Sequence, residues 1–432
     1  MSNVPNTLND KAWEKLFDKY NILEHIDKKG LYTITAKQIN EFREARLMTK
    51  FDHRSNLPFL FTANNLSILP VTRGSYIIGN FEAYHDFETP AADICKVKMP
   101  DFIYSIDYDN ITSEATAINV AYLSGILADF IGDEKLLPTV NGRMSSEQFD
   151  FNIYNKKTRS LFNVCVANSQ IEIDGGYEGL ETLTLIEAKN SLSNDFLVRQ
   201  LYYPFRLWQY KINKRIKTIY LIYTNGIFSL YEYDFLEPYN YNSLKLVKQK
   251  NYTLEQENIQ FDELIALFDR IQVTEEPDGI PFPQADNFNR VINICELLYE
   301  NEYLTRDEIT SNYDFDIRQT NYYTDACRYL GLLYKERDSV DGVRYLLTDK
   351  GKAIFKLNIK NRNLSFAKCI LEKRAFNEAF KRYLQESQLP RKRDIVKIME
   401  ASGLFNIKSE ETYKRRASTV ISWINWILNL AK

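Results

Sequence analysis

The sequence predicts a multidomain protein of the mixed α/β (α+β) class. Its 432 residues exceed what one ordinary hydrophobic core organises. Strand-like and helix-like apolar spacings alternate through most of the chain, whereas the end of the chain has helical spacing only. We therefore expect an α+β N-terminal domain over residues 1–105, an α/β domain over 106–273, a domain of helices and a β-hairpin over 286–357, and a helical domain over 360–432.

The N-terminal domain is predicted to contain two helices and two strands. Apolar spacing favours helices over Ala12–Leu23 and Thr35–Met48, with Thr35 as a cap, and strands over Leu66–Thr72 and Ser75–Phe81. A solvated helix face is one interpretation of the basic residues in and after the second helix. Contact with DNA phosphates is the other, and it would use Lys37, Arg43, Arg46, Lys50 and Arg54.

The second domain is predicted to alternate helices with a meander of strands. The expected elements are a helix over Ser113–Phe130, a loop over residues 133–148, strands over Phe149–Tyr154 and Leu161–Ala167, a hairpin within residues 170–190, a helix over Asn194–Lys211 that Pro204 kinks or breaks, strands over Thr218–Tyr223 and Phe228–Asp234, and a closing helix within residues 251–271. Residues 275–288 contain three prolines and a glycine, and they are predicted to be a linker.

Residues 286–357 are predicted to form a winged helix-turn-helix. Helices are expected over Asn289–Tyr299, after a cap at Thr305, and over Arg318–Leu330, followed by two strands that turn at Asp341–Gly342. Recognition helices contact bases through their early residues, which here include Arg318, Gln319 and Asn321.

Residues 360–432 are predicted to be a basic helical DNA-binding domain. Helices are expected over Leu364–Glu386, Lys392–Ser402 and Glu410–Leu430, the last capped by Ser409. From Lys356 to the end of the chain there are 17 Lys and Arg against 7 Asp and Glu, although the whole protein has a net charge of −3. A basic tail on an acidic body favours a polyanionic partner. The last helix begins with the basic residues Lys414, Arg415 and Arg416, and Trp423 and Trp426 are expected to bury its later part.

Composition argues against several other classes of protein. The five cysteines are far apart and form no CxxC pair, which disfavours structural zinc and a disulfide framework. No apolar run is long enough for a membrane span, and the N-terminus lacks a signal-peptide pattern, so we expect a cytoplasmic protein without membrane contact. No GxxxxGK[ST] motif occurs, and no nucleotide cofactor is expected.

Residues 170–190 combine two strand-like runs with charged residues at one end. Glu172 and Asp174 share a face of the first run, and the second run ends in Glu187-Ala188-Lys189. Pairing of the runs as a hairpin would bring Asp174, Glu187 and Lys189 together, with Gly175 and Gly176 as turn formers. Carboxylates and an ammonium at the edge of an apolar sheet are costly unless they pair or bind a ligand. A cross-strand ion-pair cluster is the alternative interpretation.

The same residues suit hydrolysis of a phosphodiester, which requires a cation to gather the phosphate and the attacking water. Asp174 and Glu187 supply the carboxylates that Mg²⁺ commonly takes, and the main-chain carbonyl of Ala188 can add a third oxygen. Lys189 would lie beside the water, where it can orient or help to deprotonate it, or offset charge on the phosphate.

In this arrangement the sequence resembles the PD-(D/E)XK nuclease superfamily. Asp174 ends one strand, Glu187-Ala188-Lys189 lies on the next, and a helix carrying Gln200 follows. Ile173 stands in place of the proline, the least constrained letter of the motif. The resemblance covers roughly residues 110–235. It implies a restriction-endonuclease-like core with Asp174, Glu187, Lys189 and Gln200 as catalytic residues.

With its C-terminal modules, the chain looks like a Type II restriction endonuclease. The resemblance implies sequence-specific cleavage of double-stranded DNA with Mg²⁺, or Mn²⁺ in its place, by a protein that is a homodimer at least on DNA and that has a cognate DNA methyltransferase. Arg143, Ser145 and Ser146 are expected to contact DNA, and Glu172 is either a second metal ligand or a partner of the lysine. Two alternatives stay open: a DNA-binding regulator with a nuclease-like scaffold, and a structure-specific repair nuclease of the same superfamily.

Overall fold

The computed structural model describes residues 7–133, 135–339, 342–405, 407 and 409–431. The chain forms a mixed α/β multidomain structure, as the sequence predicts. Asp341, the first residue of the predicted turn at Asp341–Gly342, lies outside the described residues.

The N-terminal part is a small α+β unit. Its elements are α1 (Leu8–Tyr20), α2 (Ile22–Lys29), β1 (Leu31–Thr35), α3 (Ala36–Ile39), α4 (Ala45–Thr49), α5 (Phe59–Ala63), β2 (Ser67–Thr72) and β3 (Ser75–Gly79). The strands form an antiparallel sheet in the order β1-β3-β2. Both predicted strands are confirmed, and so is the cap at Thr35, whose hydroxyl accepts the backbone N–H of Gln38. The single helices predicted over 12–23 and 35–48 are wrong, because left-handed Asn21 (φ 48°) ends α1 and the second segment breaks after Ile39.

The middle of the chain is built on one large sheet. Its elements are β4 (Tyr84–Asp86), β5 (Ile94–Lys96), α6 (Glu114–Leu123), α7 (Ile126–Ile131), β6 (Leu137–Ser145), β7 (Gln148–Asn155), β8 (Ser160–Ala167), β9 (Gln170–Glu178), β10 (Thr182–Lys189), β11 (Asp195–Leu197), α8 (Arg199–Lys211), β12 (Arg215–Thr224), β13 (Ile227–Phe235) and β14 (Leu244–Thr253). The seven-stranded sheet has the order β5-β14-β13-β12-β10-β9-β6. The pairs β10/β12 and β14/β5 are parallel, and the other neighbours are antiparallel. β7 pairs with β8, and β4 pairs with β11.

Helices cover both faces of this sheet. Side chains of α6 and α7 pack on one face against Ile186 and Ala188 of β10, and side chains of α8 pack on the other face against Leu183 and Leu185. Because successive residues of a strand point to opposite faces, β10 is apolar on both sides for most of its length. The charged residues at its end are therefore an exception to an otherwise apolar strand.

Several predictions for the middle of the chain need correction. The loop predicted over residues 133–148 contains strand β6, and the helix predicted from Asn194 starts at Arg199 because residues 195–197 form β11. Pro204 lies inside α8 without ending it. The helix predicted over 113–130 is divided at Gly125, which adopts a left-handed conformation (φ 81°). β5, which the sequence placed in the N-terminal domain, is an edge strand of the large sheet.

The C-terminal part begins with α9 and is mostly helical. Its elements are α9 (Phe261–Asp269), α10 (Phe288–Glu300), β15 (Leu304–Thr305), α11 (Arg306–Asn312), α12 (Ile317–Tyr329), β16 (Leu333–Asp338), β17 (Gly342–Leu347), α13 (Asp349–Phe355), α14 (Ile359–Leu371), α15 (Arg374–Glu386), α16 (Lys392–Ala401) and α17 (Glu410–Asn429). The elements predicted over 289–355 occur at the predicted places, including the cap at Thr305, and the predicted cap at Ser409 is confirmed on α17. The single helix predicted over 364–386 is wrong, because it divides into α14 and α15.

One hydrophobic core joins the whole C-terminal part. It runs from Ile259, before α9, to Ile427 on α17, and includes residues of α10, α12, α14 and α15. The predicted linker contributes to this core, because Phe282 is 2% exposed and stacks on Phe376 with ring centroids 5.4 Å apart. Residues 275–287 are therefore irregular in structure, but the segment packs against the core through Phe282. Trp423 is fully buried, whereas Trp426 is only partly buried.

No helix among the described residues is long and apolar enough to cross a membrane.

Phe282→Ala should lower the free energy of unfolding by about 3–5 kcal/mol, because it removes a buried aromatic ring and leaves a cavity. Urea unfolding followed by circular dichroism measures this loss. Asp278→Ala is the matched control, because Asp278 is exposed in the same segment and should change stability by less than about 0.5 kcal/mol. Equal small effects for both variants would show that the segment is a solvated linker.

Candidate active site

Two antiparallel strands bring the predicted carboxylates together. β9 and β10 pair with Gly175 opposite Ile186, which places Asp174 and Glu187 side by side beyond this pair. Oδ2 of Asp174 accepts a hydrogen bond from the backbone N–H of Ala188 at 2.9 Å. The sequence-predicted convergence of Asp174 with the Glu187–Lys189 segment is thus present in the structure.

Gly175 and Gly176 serve packing within the strand. A Cβ at Gly176 would lie 2.7 Å from the carbonyl oxygen of Val140 on β6, and a Cβ at Gly175 would lie 3.1 Å from Ile118 on α6. Both residues lie inside β9, so the prediction that they form the turn is wrong. Their missing side chains let β6 and α6 approach the strand that carries Asp174.

Glu187 is a buried carboxylate, 8% exposed, at the centre of the site. Its Oε1 accepts hydrogen bonds from Nζ of Lys189 at 2.6 Å and from Nε2 of Gln200 at 2.7 Å. Burial raises the pKa of Glu187 to about 8, while the Lys189 ammonium opposes the shift and Asp174 adds to it. Gln200, at the start of α8, therefore contacts the site directly.

The Lys189 ammonium lies among oxygen atoms. Besides Glu187, it donates to the carbonyl oxygen of Ala188 at 2.9 Å and lies 3.6 Å from Oε1 of Glu114. Burial alone would lower the pKa of Lys189, but the carboxylates of Glu187 and Glu114 outweigh it and the net direction is upward. Lys189 therefore stays protonated, with the oxygens of Glu187, Ala188 and Glu114 around its ammonium.

Glu114 is a member of the site that the sequence did not single out. It occupies the first turn of α6, after the cap at Ser113, and burial raises the pKa of its carboxyl. An acidic residue at this position also stabilises a helix N-terminus. The sequence alone therefore gives no sign that Glu114 also contacts Lys189. Only the packing of α6 against β9 and β10 brings it to Lys189.

The donor set fits a hard cation. Oδ1 of Asp174 and Oε2 of Glu187 accept no hydrogen bond from any described residue, so each carboxylate keeps one oxygen available. Two carboxylates and a carbonyl are ligands that Mg²⁺ takes, with waters and phosphate oxygens completing its shell. The Ala188 carbonyl now accepts from Lys189, and that ammonium must turn away before the oxygen can bind a cation. Within the described ranges, no group of three or more His, Cys, Asp or Glu residues forms a metal site.

The three predicted DNA contacts on β6 and in the turn after it differ in their exposure and in their hydrogen-bond partners. The Arg143 guanidinium is exposed and pairs with Glu172 at 3.1 Å, and Glu172 also lines a small cavity together with Glu187 and Gln200. Ser145 donates to Oδ1 of Asn168 and is partly exposed. Ser146 is 1% exposed and its hydroxyl donates to the carbonyl of Glu147, so this side chain has almost no surface to offer a ligand in this structure.

The predicted C-terminal contacts lie at the starts of α12 and α17. Arg318 is exposed, and Gln319 and Asn321 are partly exposed; the Gln319 amide oxygen accepts the N–H of Asp316. On α17, Lys414 pairs with Glu410 at 2.7 Å and Arg415 is exposed.

Arg416 differs from its neighbours because it is half-buried. Burial, followed by the charge of Arg415, lowers the pKa of Arg416, while Tyr322 and Asp325 on α12 act in the opposite direction. The side chain therefore lies between α17 and α12, and it is less available to a ligand than Lys414 and Arg415.

The C-terminal part also supplies an acidic residue near the site. Oε1 of Glu300, at the end of α10, accepts a hydrogen bond from Nδ2 of Asn190 at 3.3 Å. Burial raises the pKa of Glu300 to about 8, and the charges of Glu296 and Glu114 add to the shift. This carboxyl is thus poorly solvated and lies in an acidic neighbourhood.

Comparison with known proteins gives matches to three family models, each described as a domain of unknown function. They cover residues 10–78 (DUF6996), 79–253 (DUF6997) and 290–432 (DUF7226). The second contains every strand of the seven-stranded sheet, and the third extends from α10 to the end of the chain. No curated protein and no solved structure matches the chain.

Glu300→Gln should make the protein more stable at pH 9 and leave its stability at pH 5 nearly unchanged. The pKa of Glu300 in the folded protein, about 8, is above its value in the unfolded chain. Protonation of this carboxyl therefore contributes fully to the stability of the fold at low pH. That contribution is lost as the pH rises through 8, where the buried group ionises. Melting temperatures at both pH values measure the change. Glu302→Gln, which alters an exposed carboxylate two residues further on, is the control and should match wild type at both.

Proposed function

We propose that this chain is a Mg²⁺-dependent endonuclease that cleaves double-stranded DNA at specific sequences, as Type II restriction enzymes do. The observation that carries the proposal is the meeting of Asp174, Glu187, Lys189 and Gln200 at one end of the β9–β10 pair. Cytoplasmic localisation, a homodimer on DNA and a cognate DNA methyltransferase belong to the same proposal.

The order of elements around these residues supports a PD-(D/E)XK core. Helix α6 is followed by β6, β9 and β10, which are antiparallel neighbours, then by helix α8 and by β12, which is parallel to β10. In this order the carboxylates lie on the second and third strands, and α8 brings Gln200 to the same end. The hairpin β7–β8 is an insertion that leaves the order of the sheet intact.

Each residue has a distinct role in the proposed hydrolysis. A cation bound to Asp174 and Glu187 would polarise the scissile phosphate and a water molecule. Lys189, released from the Ala188 carbonyl, holds the attacking water and offsets negative charge at the phosphate. Gln200 fixes the orientation of the Glu187 carboxylate through its hydrogen bond. The water oxygen would bond to phosphorus as its proton passes to bulk solvent, and the bond from phosphorus to the departing sugar oxygen would break as that oxygen takes a proton from solvent.

DNA reading is assigned to the C-terminal part. The order α10, α11, α12 and hairpin β16–β17 supports a winged helix-turn-helix, with α12 as its reading helix. The residues just before α12 lie close to the loop that follows β10, since Asp314 accepts a hydrogen bond from the backbone N–H of Asn194 at 2.7 Å. Arg318 and Arg415 are exposed and thus available to DNA.

A regulator with an inactive nuclease-like scaffold is less consistent with the site. Buried ion pairs such as Lys189–Glu187 are often no more stable than apolar residues of the same volume. A scaffold therefore gains little from this pair, whereas a catalyst uses it. A structure-specific repair nuclease would use the same residues, and the choice of DNA substrate separates that alternative.

Asp174→Asn and Glu187→Gln should each lower cleavage of plasmid DNA about 1000-fold or more, since a bound cation supplies several kcal/mol of transition-state stabilisation. DNA binding should survive in both variants. Glu181→Ala, which removes an exposed carboxylate from the same hairpin, is the control and should cut normally. Discrete fragments from plain duplex DNA support a restriction enzyme, and cleavage of branched or damaged DNA alone supports a repair nuclease. Full activity of either site variant would contradict the proposed site.

The double variant Lys414→Ala, Arg415→Ala should bind DNA more weakly and with a smaller dependence on salt. Removing one cationic side chain from a phosphate reduces the slope of log K against log salt by about 0.9. Arg416 is left in place because its half-buried side chain packs between helices. The pair Lys352→Ala, Lys381→Ala is the charge-matched control, since both lysines are exposed on other C-terminal helices. An unchanged slope for the double variant would exclude the start of α17 from the DNA interface.

A further inference from the structure

The catalytic strand is followed by a short segment that the C-terminal part holds. This segment, residues 190–194, is named the exit loop; it starts immediately after Lys189 and leads through β11 to α8 and Gln200. Asn190 and Ser191 are buried, with 8% and 5% exposure. The exit loop thus connects two predicted catalytic residues.

Asn293 on α10 binds the exit loop with both ends of its amide. Its Nδ2 donates to the backbone carbonyl of Asn190 at 2.9 Å, and its Oδ1 accepts the backbone N–H of Leu192 at 3.0 Å. Asn293 is fully buried. Removal of this side chain would leave two backbone groups of the exit loop without their partner, one at each end of a three-residue stretch that directly follows Lys189.

A second contact ties the end of the exit loop to the start of α12. The carboxylate of Asp314 accepts the backbone N–H of Asn194 at 2.7 Å and pairs with the guanidinium of Arg290, also at 2.7 Å. Both charged side chains are almost completely buried. Arg290 lies over the ring of Phe315 at 4.7 Å, and the next residue, Asp316, caps α12. Movement of α12 would therefore displace the partner of Asn194.

These contacts form one path from α12 to the catalytic strand. α10 contributes Arg290 and Asn293 from the same helix, so it holds the start of α12 and the exit loop together. The three side chains of this path, Arg290, Asn293 and Asp314, are almost completely buried, so they do not readily exchange these partners for water, and a shift at one end is passed along the path. A displacement of α12 would therefore move the exit loop. It would also move Lys189, which precedes the loop, and Gln200, which follows it on α8.

We propose that Asn293 is a positioning residue that couples DNA reading at α12 to cleavage at Lys189 through the exit loop. This inference rests on the proposed nuclease function and adds a device to it. The C-terminal part sets the position of the catalytic lysine, and cognate DNA bound to α12 stabilises the cutting position.

The test compares Asn293→Ala with Asn377→Ala. Asn377 is a buried asparagine of the same core, 8% exposed, whose amide donates to the carbonyl of Leu371, away from the exit loop. For Asn293→Ala we expect kcat on cognate DNA to fall about 100-fold, the order of loss that a 1 Å misplacement produces. KM and equilibrium DNA affinity should stay at the level of the control variant.

Hydrogen exchange on the wild-type protein keeps the proposal testable where Asn293→Ala does not fold. A duplex that carries a cut site mapped by sequencing the ends of digested plasmid should change the protection of the Leu192 and Asn194 amides, and a duplex of the same length without that site should not. Equal protection with both DNAs would overturn the coupling.

The outcomes separate this inference from the proposed function. A wild-type protein that cuts no DNA overturns the nuclease function, and the coupling falls with it. A wild-type protein that cuts, together with an Asn293→Ala variant as fast as Asn377→Ala, overturns the coupling alone.

Discussion

The carboxylate of Glu187 is buried at the end of a largely apolar strand. Its neighbours supply the opposite charge and the hydrogen bonds that such burial requires. A buried carboxylate is destabilising unless it is paired, hydrogen-bonded or protonated. Lys189 supplies the opposite charge and Gln200 a hydrogen bond, yet the pKa of Glu187 still rises to about 8. The protein therefore holds this carboxyl in a poorly solvated position. Strand β10, helix α8 and helix α6 each contribute one polar side chain to that balance.

The parallel pairing of β10 with β12 explains why these groups share one end of the sheet. Parallel strands require a crossover connection, and here α8 provides it. The start of α8 must therefore lie near the end of β10, which brings Gln200 to Glu187. The other parts of the chain contact the segments that flank these groups. The N-terminal part contacts β11 through the backbone carbonyl of Asp52, and the C-terminal part binds the exit loop. A site built on one sheet thus depends on the whole protein for its final geometry.

The hairpin of β9 and β10 that carries the candidate site was predictable because its information is local. Alternating apolar residues defined β9 and β10, and the charges at their ends stood out against that pattern. Strand β6 was missed because it lies at the sheet edge, is largely exposed, and contains Pro138 and Gly142, which lower strand propensity. Asn293 and Glu114 carry no local signal, since each is an ordinary residue of an amphipathic or capped helix until a distant segment packs against it. Phe282 was assigned to a linker because prolines marked the segment as irregular, and irregular structure is often solvated.

The continuous core from Ile259 to Ile427 has a consequence for how such proteins are recombined. A chimera that exchanges the C-terminal part between two such chains would ordinarily be joined at the proline-rich segment 275–288. That junction would cut through the core, because α9 and Phe282 would be matched with foreign partners. Residues 254–258, between the last strand of the large sheet and the first residue of the C-terminal core, are the natural place for the joint. The residues of α10 that contact the exit loop and the exit loop itself would have to come from the same protein. The smallest exchangeable unit therefore includes residues 190–194 as well as the C-terminal part.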